Sequence, residues 1–212
     1  MRAETLPSNL SGLGRLPAEA RIGPNAVLQT RRALKELEGE QQLQTIDTAV
    51  GLPSPFPEGM IPERWFLSYV TELRRALPPA RAEAVLSRSG RYTADYVRTN
   101  RIPSAFRGLL RLLPARLALP LLLMAFRRHA WTFAGGGTFR VEGPHPGTIC
   151  LVGCPTCRVS TAFSHGGSYY EAAFEGLLAL ATPRARVREL DCIGHGAHCC
   201  HFQITLEPRA RG

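Results

Sequence analysis

Apolar residues recur at helical spacing through most of the first 130 residues. Residues 24–40 alternate apolar and charged positions after a Pro-Asn pair, which predicts an amphipathic helix. Residues 61–77 predict a second helix, because a proline lies near the start and two prolines follow the end. Residues 79–103 predict two shorter helices that are separated at Ser89-Gly90.

The most apolar stretch of the chain is residues 109–126. Its longest run without a charge, 117–126, has ten residues, whereas a helix needs about 20 to cross a bilayer. The stretch therefore predicts buried helices that are broken at Pro114 and Pro120, and no membrane span.

Beyond residue 130 the pattern changes to the two-residue alternation that is typical of strands. Four strand regions and one helix are predicted there: strands at 131–143 (around a glycine-rich turn), 147–155, 185–192 and 200–207, and a helix at 168–181. The last two strands predict an antiparallel hairpin. Helices followed by strands predict an α+β fold with an antiparallel sheet and a packed helix.

Composition divides the chain into three parts. Residues 1–20 are rich in proline, glycine and serine and predict a mobile segment. A mainly helical part at 21–130 and a sheet-containing part at 131–212 follow, and we expect 21–212 to form one structural unit. The N-terminus has no apolar core of signal-peptide length, so we expect a cytoplasmic protein with reduced cysteines.

The chain is basic, with 26 Lys plus Arg against 17 Asp plus Glu and a net charge of +9. Lys35 is the only lysine, and arginine suits bidentate contacts with carboxylates and phosphates. Charge alone is compatible with a nucleic acid, an anionic membrane or an acidic small molecule as the partner.

Half of the six cysteines and half of the six histidines lie in one stretch, RELDCIGHGAHCCHF, at 188–202. Glu189, Cys192 and Cys200 have E-x2-C-x7-C spacing across the predicted hairpin, so their side chains can converge on one ion. Thiolates and a carboxylate are zinc ligands. Cys199 and Cys200 are neighbours on an extended chain and should point to opposite faces.

A second pair, Cys154 and Cys157, has C-x2-C spacing, and His165 is a further donor nearby. The pair is compatible with half of a zinc site, with a redox pair or with buried structural cysteines. The chain lacks the G-x-G-x-x-G, Walker, H-E-x-x-H and G-x-S-x-G sequences. No nicotinamide, flavin or nucleotide site is therefore predicted.

Several motifs, in order along the chain, resemble the 4-vinyl-reductase domain family, and most of all its bacteriochlorophyll-biosynthesis branch. The upstream motifs are RIGPNAVLQ, SGRYTADYVRTNRIP, HAWTFAGGGTF and YYEAAFEGLL. The C-terminal motif consists of Glu189, Cys192, Gly196, Cys200, Phe202 and Ile204. The resemblance runs from about residue 20 to the end of the chain.

The resemblance implies an α/β ligand-binding fold related to a vesicle-tethering subunit and to haem-based nitric oxide sensors. It also implies a structural zinc held by one Glu and three Cys, as in related phenol-sensing regulators. The chain departs from the family pattern at Ala197, where an acidic residue is usual, and at 166–167, where glycines replace the upstream cysteine. Cys154, Cys157 or His165 could supply the fourth ligand.

The resemblance further implies bacteriochlorophyll biosynthesis and reduction of the 8-vinyl (4-vinyl) group of a divinyl chlorophyllide. Because no hydride donor site is visible, the chain is either a reductase with an external electron donor or a carrier of tetrapyrrole precursors. The ligand would be a Mg-tetrapyrrole or protoporphyrin. The alternatives are a small-molecule sensor or regulatory module and, from charge alone, a nucleic-acid binder; we expect no nucleic acid as a partner.

A tetrapyrrole pocket needs aromatic walls and a few arginines that can pair with propionates. The predicted ligand-binding residues are Trp131, Phe133, Tyr96, Arg98, Arg101 and Arg128. Other enzymes of bacteriochlorophyll synthesis and a second copy of the chain are the protein partners that this interpretation allows.

Overall fold

Helices make up the first part of the chain and an antiparallel sheet the second. The computed structural model describes residues 20–159 and 167–208. Its helices are α1 (Asn25–Glu38), α2 (Glu40–Val50), α3 (Glu63–Ala76), α4 (Pro79–Asn100), α5 (Ser104–Leu112), α6 (Ala115–His129), α7 (Pro155–Arg158) and α8 (Ser168–Leu178). Its strands are β1 (Arg21–Ile22), β2 (Ile61–Pro62), β3 (Thr138–Glu142), β4 (Thr148–Val152), β5 (Ala185–Asp191) and β6 (Cys200–Leu206). The predicted α+β class is confirmed.

The four longer strands form one sheet in the order β3-β4-β6-β5, and all neighbouring strands are antiparallel. The predicted hairpin of the last two strands is confirmed, with Val187 opposite Ile204. β1 and β2 pair separately within the helical part. One hydrophobic cluster contains residues from both the helices and the sheet, whereas the division at residues 20 and 130 stays a prediction.

The sheet has a buried inner face and a polar outer face. Its inner face carries two rows of side chains across the strands, which are Phe139–Leu151–Cys200 and Ile149–Phe202–Glu189. All six of these residues are buried. Arg140, Cys150 and His201 form a row on the outer face. Side-chain alternation therefore places Glu189 and Cys200 on the same inner face.

Helix α4 is continuous through Ser89 and Gly90, so the break predicted there is wrong. Gly90 packs against the start of α8, and a Cβ at this position would overlap the carbonyl oxygen of Tyr169. The Ser89 hydroxyl lies 2.8 Å from the hydroxyl of Thr30 in α1. These two small residues let α4 contact both neighbouring helices closely, and this packing outweighs their low helix propensity.

Two further helical features differ from the sequence prediction. The apolar pattern does not predict helix α2, of which only Leu43 and Ile46 are buried. Pro120 lies inside α6, whereas Pro114 does separate α5 from α6. A single proline removes one backbone hydrogen bond, and the buried residues around it, Leu119 and Leu122, hold the helix in place.

The stretch at 109–126 is only partly buried, contrary to expectation. Four of its large apolar side chains are exposed: Leu109, Leu112, Leu117 and Met124. The α5 and α6 helices thus pack on the core with one side and present apolar residues on the other. Among the described residues, no helix has the length and apolarity needed to cross a membrane.

Cys150 and Cys199 form a disulfide that joins β4 to the residue before β6. The expectation that the cysteines are reduced is therefore wrong for this pair. Both residues are buried. The described cysteines without a disulfide are Cys154, Cys157, Cys192 and Cys200.

The contact between α4 and α8 gives a test of the packing. Gly90→Ala should destabilise the protein by about 1–3 kcal/mol, because the new methyl group overlaps backbone atoms of α8. Gly108→Ala is the matched control: Gly108 is also helical, but its added Cβ would have nothing within 4 Å. This control should stabilise the protein by about 0.5–1 kcal/mol. Urea unfolding of both variants measures the difference, and equal effects would contradict the packing argument.

Candidate metal centre and ligand groove

Four buried groups converge at the inner face of the sheet. The ligand atoms of Cys157, Glu189, Cys192 and Cys200 all lie within 4.8 Å of one another. The Sγ atoms of Cys192 and Cys200 are 3.7 Å apart. Three separate parts of the backbone contribute these groups: the α7 turn, the end of β5 and the start of β6.

The strand ends position three of the four groups. A register shift between Glu189 and Asp191 marks a bulge in β5, and a bulge re-aims the side chains around it. After Cys192 the chain turns back through Gly196, whose φ of 89° favours glycine. The Cys192 carbonyl accepts hydrogen bonds from the backbone N–H groups of His195 and Ala197, which brings Cys200 back beside Glu189.

Two glutamates of α8 hold β5 in place along its outer edge. The Glu171 carboxylate accepts a hydrogen bond from the Glu189 N–H (2.8 Å), and the Glu175 carboxylate accepts one from the Val187 N–H (3.0 Å). An edge strand leaves such N–H groups without a sheet partner. Helix α8 therefore fixes the position of the Glu189 backbone relative to the thiols.

One carboxylate oxygen of Glu189 has no described hydrogen-bond partner. Its Oε2 atom accepts a hydrogen bond from the Gly167 N–H at 3.0 Å, whereas Oε1 is buried without one. A side chain at Gly167 would overlap Oε1 and the ring of Phe202. Glycine is therefore needed at this position for the carboxylate to reach the three sulfurs.

The protonation of the cluster reflects crowding of acidic groups. Burial and, to a smaller extent, the charge of Cys192 raise the pKa of Glu189 to about 8, although the hydrogen bond from Gly167 lowers it. Hydrogen bonding with Cys154 raises the pKa values of Cys157 and Cys200. Burial opposes ionisation of Cys154, but hydrogen bonds from Cys157, Cys200 and Thr156 hold its pKa well below the ordinary value. The cluster thus accommodates few negative charges unless a cation compensates them.

Three sulfurs and one carboxylate are a donor set that suits zinc. Zinc accepts four tetrahedral ligands of this kind in structural sites, and the orphan Oε1 atom of Glu189 has the lone pairs that such an ion needs. The residues present therefore fit a zinc ion. Four protein ligands would leave no open coordination position for catalysis.

The structure distinguishes among the residues considered for the fourth ligand. Cys157 belongs to the converging group, and Cys154, three residues earlier, does not. His165 lies outside the described residues. His195 and His198 are exposed and are not members of the group.

The disulfide side of the sheet holds a second group that sequence reasoning did not assemble. The two disulfide sulfurs of Cys150 and Cys199 and a ring nitrogen of His201 lie within 4.8 Å of one another. The imidazole of His201 also lies 3.6 Å from the Asp191 carboxylate. Strand alternation puts Cys199 and His201 on one face, and the register of β4 with β6 pairs Cys150 with His201.

The predicted tetrapyrrole ligands are divided among three places. Tyr96, Arg98 and Arg101 lie together near the end of α4, where the Arg101 guanidinium stands 5.8 Å from the Tyr96 ring centre and Arg98 pairs with Asp95 at 2.7 Å. Phe133 is partly buried and packs against the core rings of Phe139 and Phe174.

Arg128 and Trp131 belong to the surface near the end of α6. Trp131 is exposed. Arg128 borders an open groove of about 500 Å³ between α5 and α6. The groove is lined by Phe106, Leu121, Met124, Ala125, Arg127, Arg128 and His129. Of the six predicted ligand residues, Arg128 alone lines this groove.

Two relatives of known name cover nearly the whole chain. A protein of Cereibacter sphaeroides named "Bacteriochlorophyll synthase 23 kDa chain" is 36% identical over 194 residues, which are 89% of this chain and 92% of the relative. A protein of the same name from Rhodobacter capsulatus is 36% identical over 195 residues, 91% of this chain and 90% of the relative.

The chain belongs to the bacteriochlorophyll synthase 23 kDa chain family. This confirms the branch that the sequence motifs indicated. No protein-family model matches the chain, so the wider likeness to the 4-vinyl-reductase domain rests on those motifs.

The pKa of Glu189 gives a test in metal-free protein. Its pKa is about 8 in the folded chain against an ordinary value of 4.5, so folding favours the protonated carboxyl. The contribution of Glu189 to the free energy of unfolding should be fully present below about pH 4.5 and should be lost as the pH rises to about 8, by on the order of a few kcal/mol. Glu189→Gln should remove this part of the slope.

The exposed Glu58 provides the control, since Glu58→Gln should leave the slope unchanged. Chelator-treated protein unfolded by urea at a series of pH values supplies the data. If the free energy of unfolding depends on pH equally in the parent chain and in Glu189→Gln, the pKa of Glu189 is not raised by folding.

Proposed function

We propose that this chain is an accessory protein of bacteriochlorophyll biosynthesis that binds a tetrapyrrole precursor. The observation that carries the proposal is 36% identity to the two bacteriochlorophyll synthase 23 kDa chains over about nine tenths of each sequence. The role is that of a carrier of pigment precursors, in the cytoplasm and in contact with other enzymes of the pathway. The absence of a nicotinamide or flavin motif from the sequence supports a carrier over a self-sufficient reductase.

The groove between α5 and α6 is the proposed tetrapyrrole site. Phe106, Leu121 and Met124 give it an apolar lining, and Arg127 and Arg128 border it. A volume of about 500 Å³ lies within the usual range of ligand sites. Burial of the macrocycle against the apolar lining would supply most of the affinity, and pairs between arginine and propionate would set its orientation.

Zinc has a structural role in this proposal. Cys157, Glu189, Cys192 and Cys200 would hold the ion and join α7 to the last two strands. The carboxylate and thiols would then be ionised and neutralised together, which removes the cost of burying Glu189 as a lone charge. The pigment would bind elsewhere on the molecule, because four protein ligands close the zinc site.

The zinc proposal is tested by comparing two neighbouring cysteines. Protein purified without chelator should contain about one zinc per chain by elemental analysis. Cys157→Ser should lower the zinc content severalfold, because a thiolate ligand is lost. Cys154→Ser is the matched control and should retain the metal, since Cys154 is equally buried but lies outside the four-ligand group. Metal-free parent protein, or retained zinc in Cys157→Ser, would contradict the assignment.

Tetrapyrrole binding is tested by absorption spectroscopy. Mg-protoporphyrin or protoporphyrin should show a shifted Soret band when pure protein is added. Arg127→Gln/Arg128→Gln should weaken binding severalfold, because two propionate partners are lost. Arg64→Gln/Arg188→Gln removes the same charge from exposed positions outside the groove and should bind as the parent does. Absence of any spectral shift would refute the binding proposal.

The carrier role is tested separately. Pure protein mixed with divinyl chlorophyllide and NADPH should bind the pigment without forming the monovinyl product. Turnover in this mixture would replace the carrier role by vinyl reduction.

A further inference from the structure

The surface around the groove combines exposed apolar side chains with exposed arginines. Five large apolar residues of this surface are exposed by 45–85%: Leu109, Leu112, Leu117, Met124 and Trp131. We call these five residues the apolar rim. Five exposed apolar residues on adjoining elements are unusual on a surface that contacts only water, where such residues are normally scattered singly.

The rim residues follow helical spacing. Leu117 and Met124 are seven residues apart and share one face of α6, and Trp131 follows after another seven in the 3₁₀ turn that continues α6. Leu109 and Leu112 are three apart on α5. The two helices contact each other, and Phe106 of α5 and Met124 of α6 line the same groove. The rim is thus one surface built from two adjacent helices.

The charge of this region has one sign. From residue 96 to residue 141 the sequence contains eight arginines and no aspartate or glutamate. Arg111, Arg116, Arg127 and Arg128 are exposed. Within the described part of the chain, none of these four arginines forms an ion pair. Their charge is therefore available to an external anion.

We propose that the apolar rim and its arginines dock this protein on the surface of an anionic phospholipid bilayer. Leucine, methionine and tryptophan enter the boundary between headgroups and acyl chains, and arginines contact the lipid phosphates. A second copy of the chain fits this surface less well, because a two-fold symmetric contact would place arginines opposite arginines. Met124, Arg127 and Arg128 also line the groove, but lipid docking does not require a bound pigment, and it is tested below with lipid alone.

Vesicle sedimentation tests the proposal with the full chain and no pigment. The protein should sediment with vesicles that mix phosphatidylglycerol and phosphatidylcholine, and much less with phosphatidylcholine alone. Added salt should weaken binding. Arg116→Gln/Leu117→Gln should lower the partition coefficient at least fivefold, about the effect of one arginine at an anionic surface. Arg64→Gln/Leu37→Gln removes an exposed arginine and an exposed leucine elsewhere and should leave it unchanged.

Fluorescence locates the contact. The chain has two tryptophans, so Trp65→Phe leaves Trp131 as the only one, and its emission should shift to the blue when anionic vesicles are added. The proposal is overturned if anionic vesicles do not bind the protein, if both double variants lose binding equally, or if Trp131 emission stays unchanged. It is also overturned if the parent chain forms a dimer that Arg116→Gln/Leu117→Gln abolishes.

Discussion

The carboxylate of Glu189 lies among three thiols on the buried face of the sheet, and much of the surrounding structure serves to keep it there. Burying such a group is unfavourable unless hydrogen bonds or a cation compensate its charge. Gly167 leaves room for the Glu189 carboxylate, and the Glu171 carboxylate accepts a hydrogen bond from the backbone N–H of Glu189.

A second set of contacts holds Cys157, because Arg74 of α3 donates a hydrogen bond to the carbonyl of the preceding residue, Thr156. Arg74 also pairs with Glu83 of α4, which accepts a hydrogen bond from Ser168. Contacts from α3, α4 and α8 therefore converge on one centre.

The part of this centre that could be predicted from sequence is the part made by one hairpin. Glu189, Cys192 and Cys200 belong to two consecutive strands, and alternation along a strand is enough to place Glu189 and Cys200 on one face. The sequence alone does not show whether Cys154 or Cys157 is the fourth zinc ligand, since both are cysteines of one short motif. Their difference depends on the orientation of α7, which the tertiary contact with Arg74 sets. The Cys150–Cys199 disulfide likewise depends on the pairing of β4 with β6, two strands far apart in sequence.

The helical part shows the same division between local and tertiary information. Periodicity predicts the amphipathic helices, whereas the low helix propensity of Ser89 and Gly90 predicts a break that the structure does not contain. In the fold they are the positions at which α4 meets α1 and α8, and close packing outweighs propensity. The spacing of apolar residues in the sequence also does not show which of them are covered by other parts of the fold. Residues 109–126 contain enough leucine for a fully buried pair of helices, yet only one side of α5 and α6 packs on the core.

The placement of charge is more informative than its amount. A net charge of +9 is compatible with several partners, but the carboxylates of this chain lie before residue 96 and after residue 141. The intervening segment includes α5, α6 and the groove between them, so exposed arginines that pair with no described carboxylate and exposed leucines lie on the same two helices. On the proposed functions, this arrangement meets the main physical demand on a carrier of a flat apolar pigment. A groove that opens beside a membrane-bound rim would let the pigment pass between protein and lipid with little exposure of its apolar faces to water, and that exposure is the largest cost of moving it.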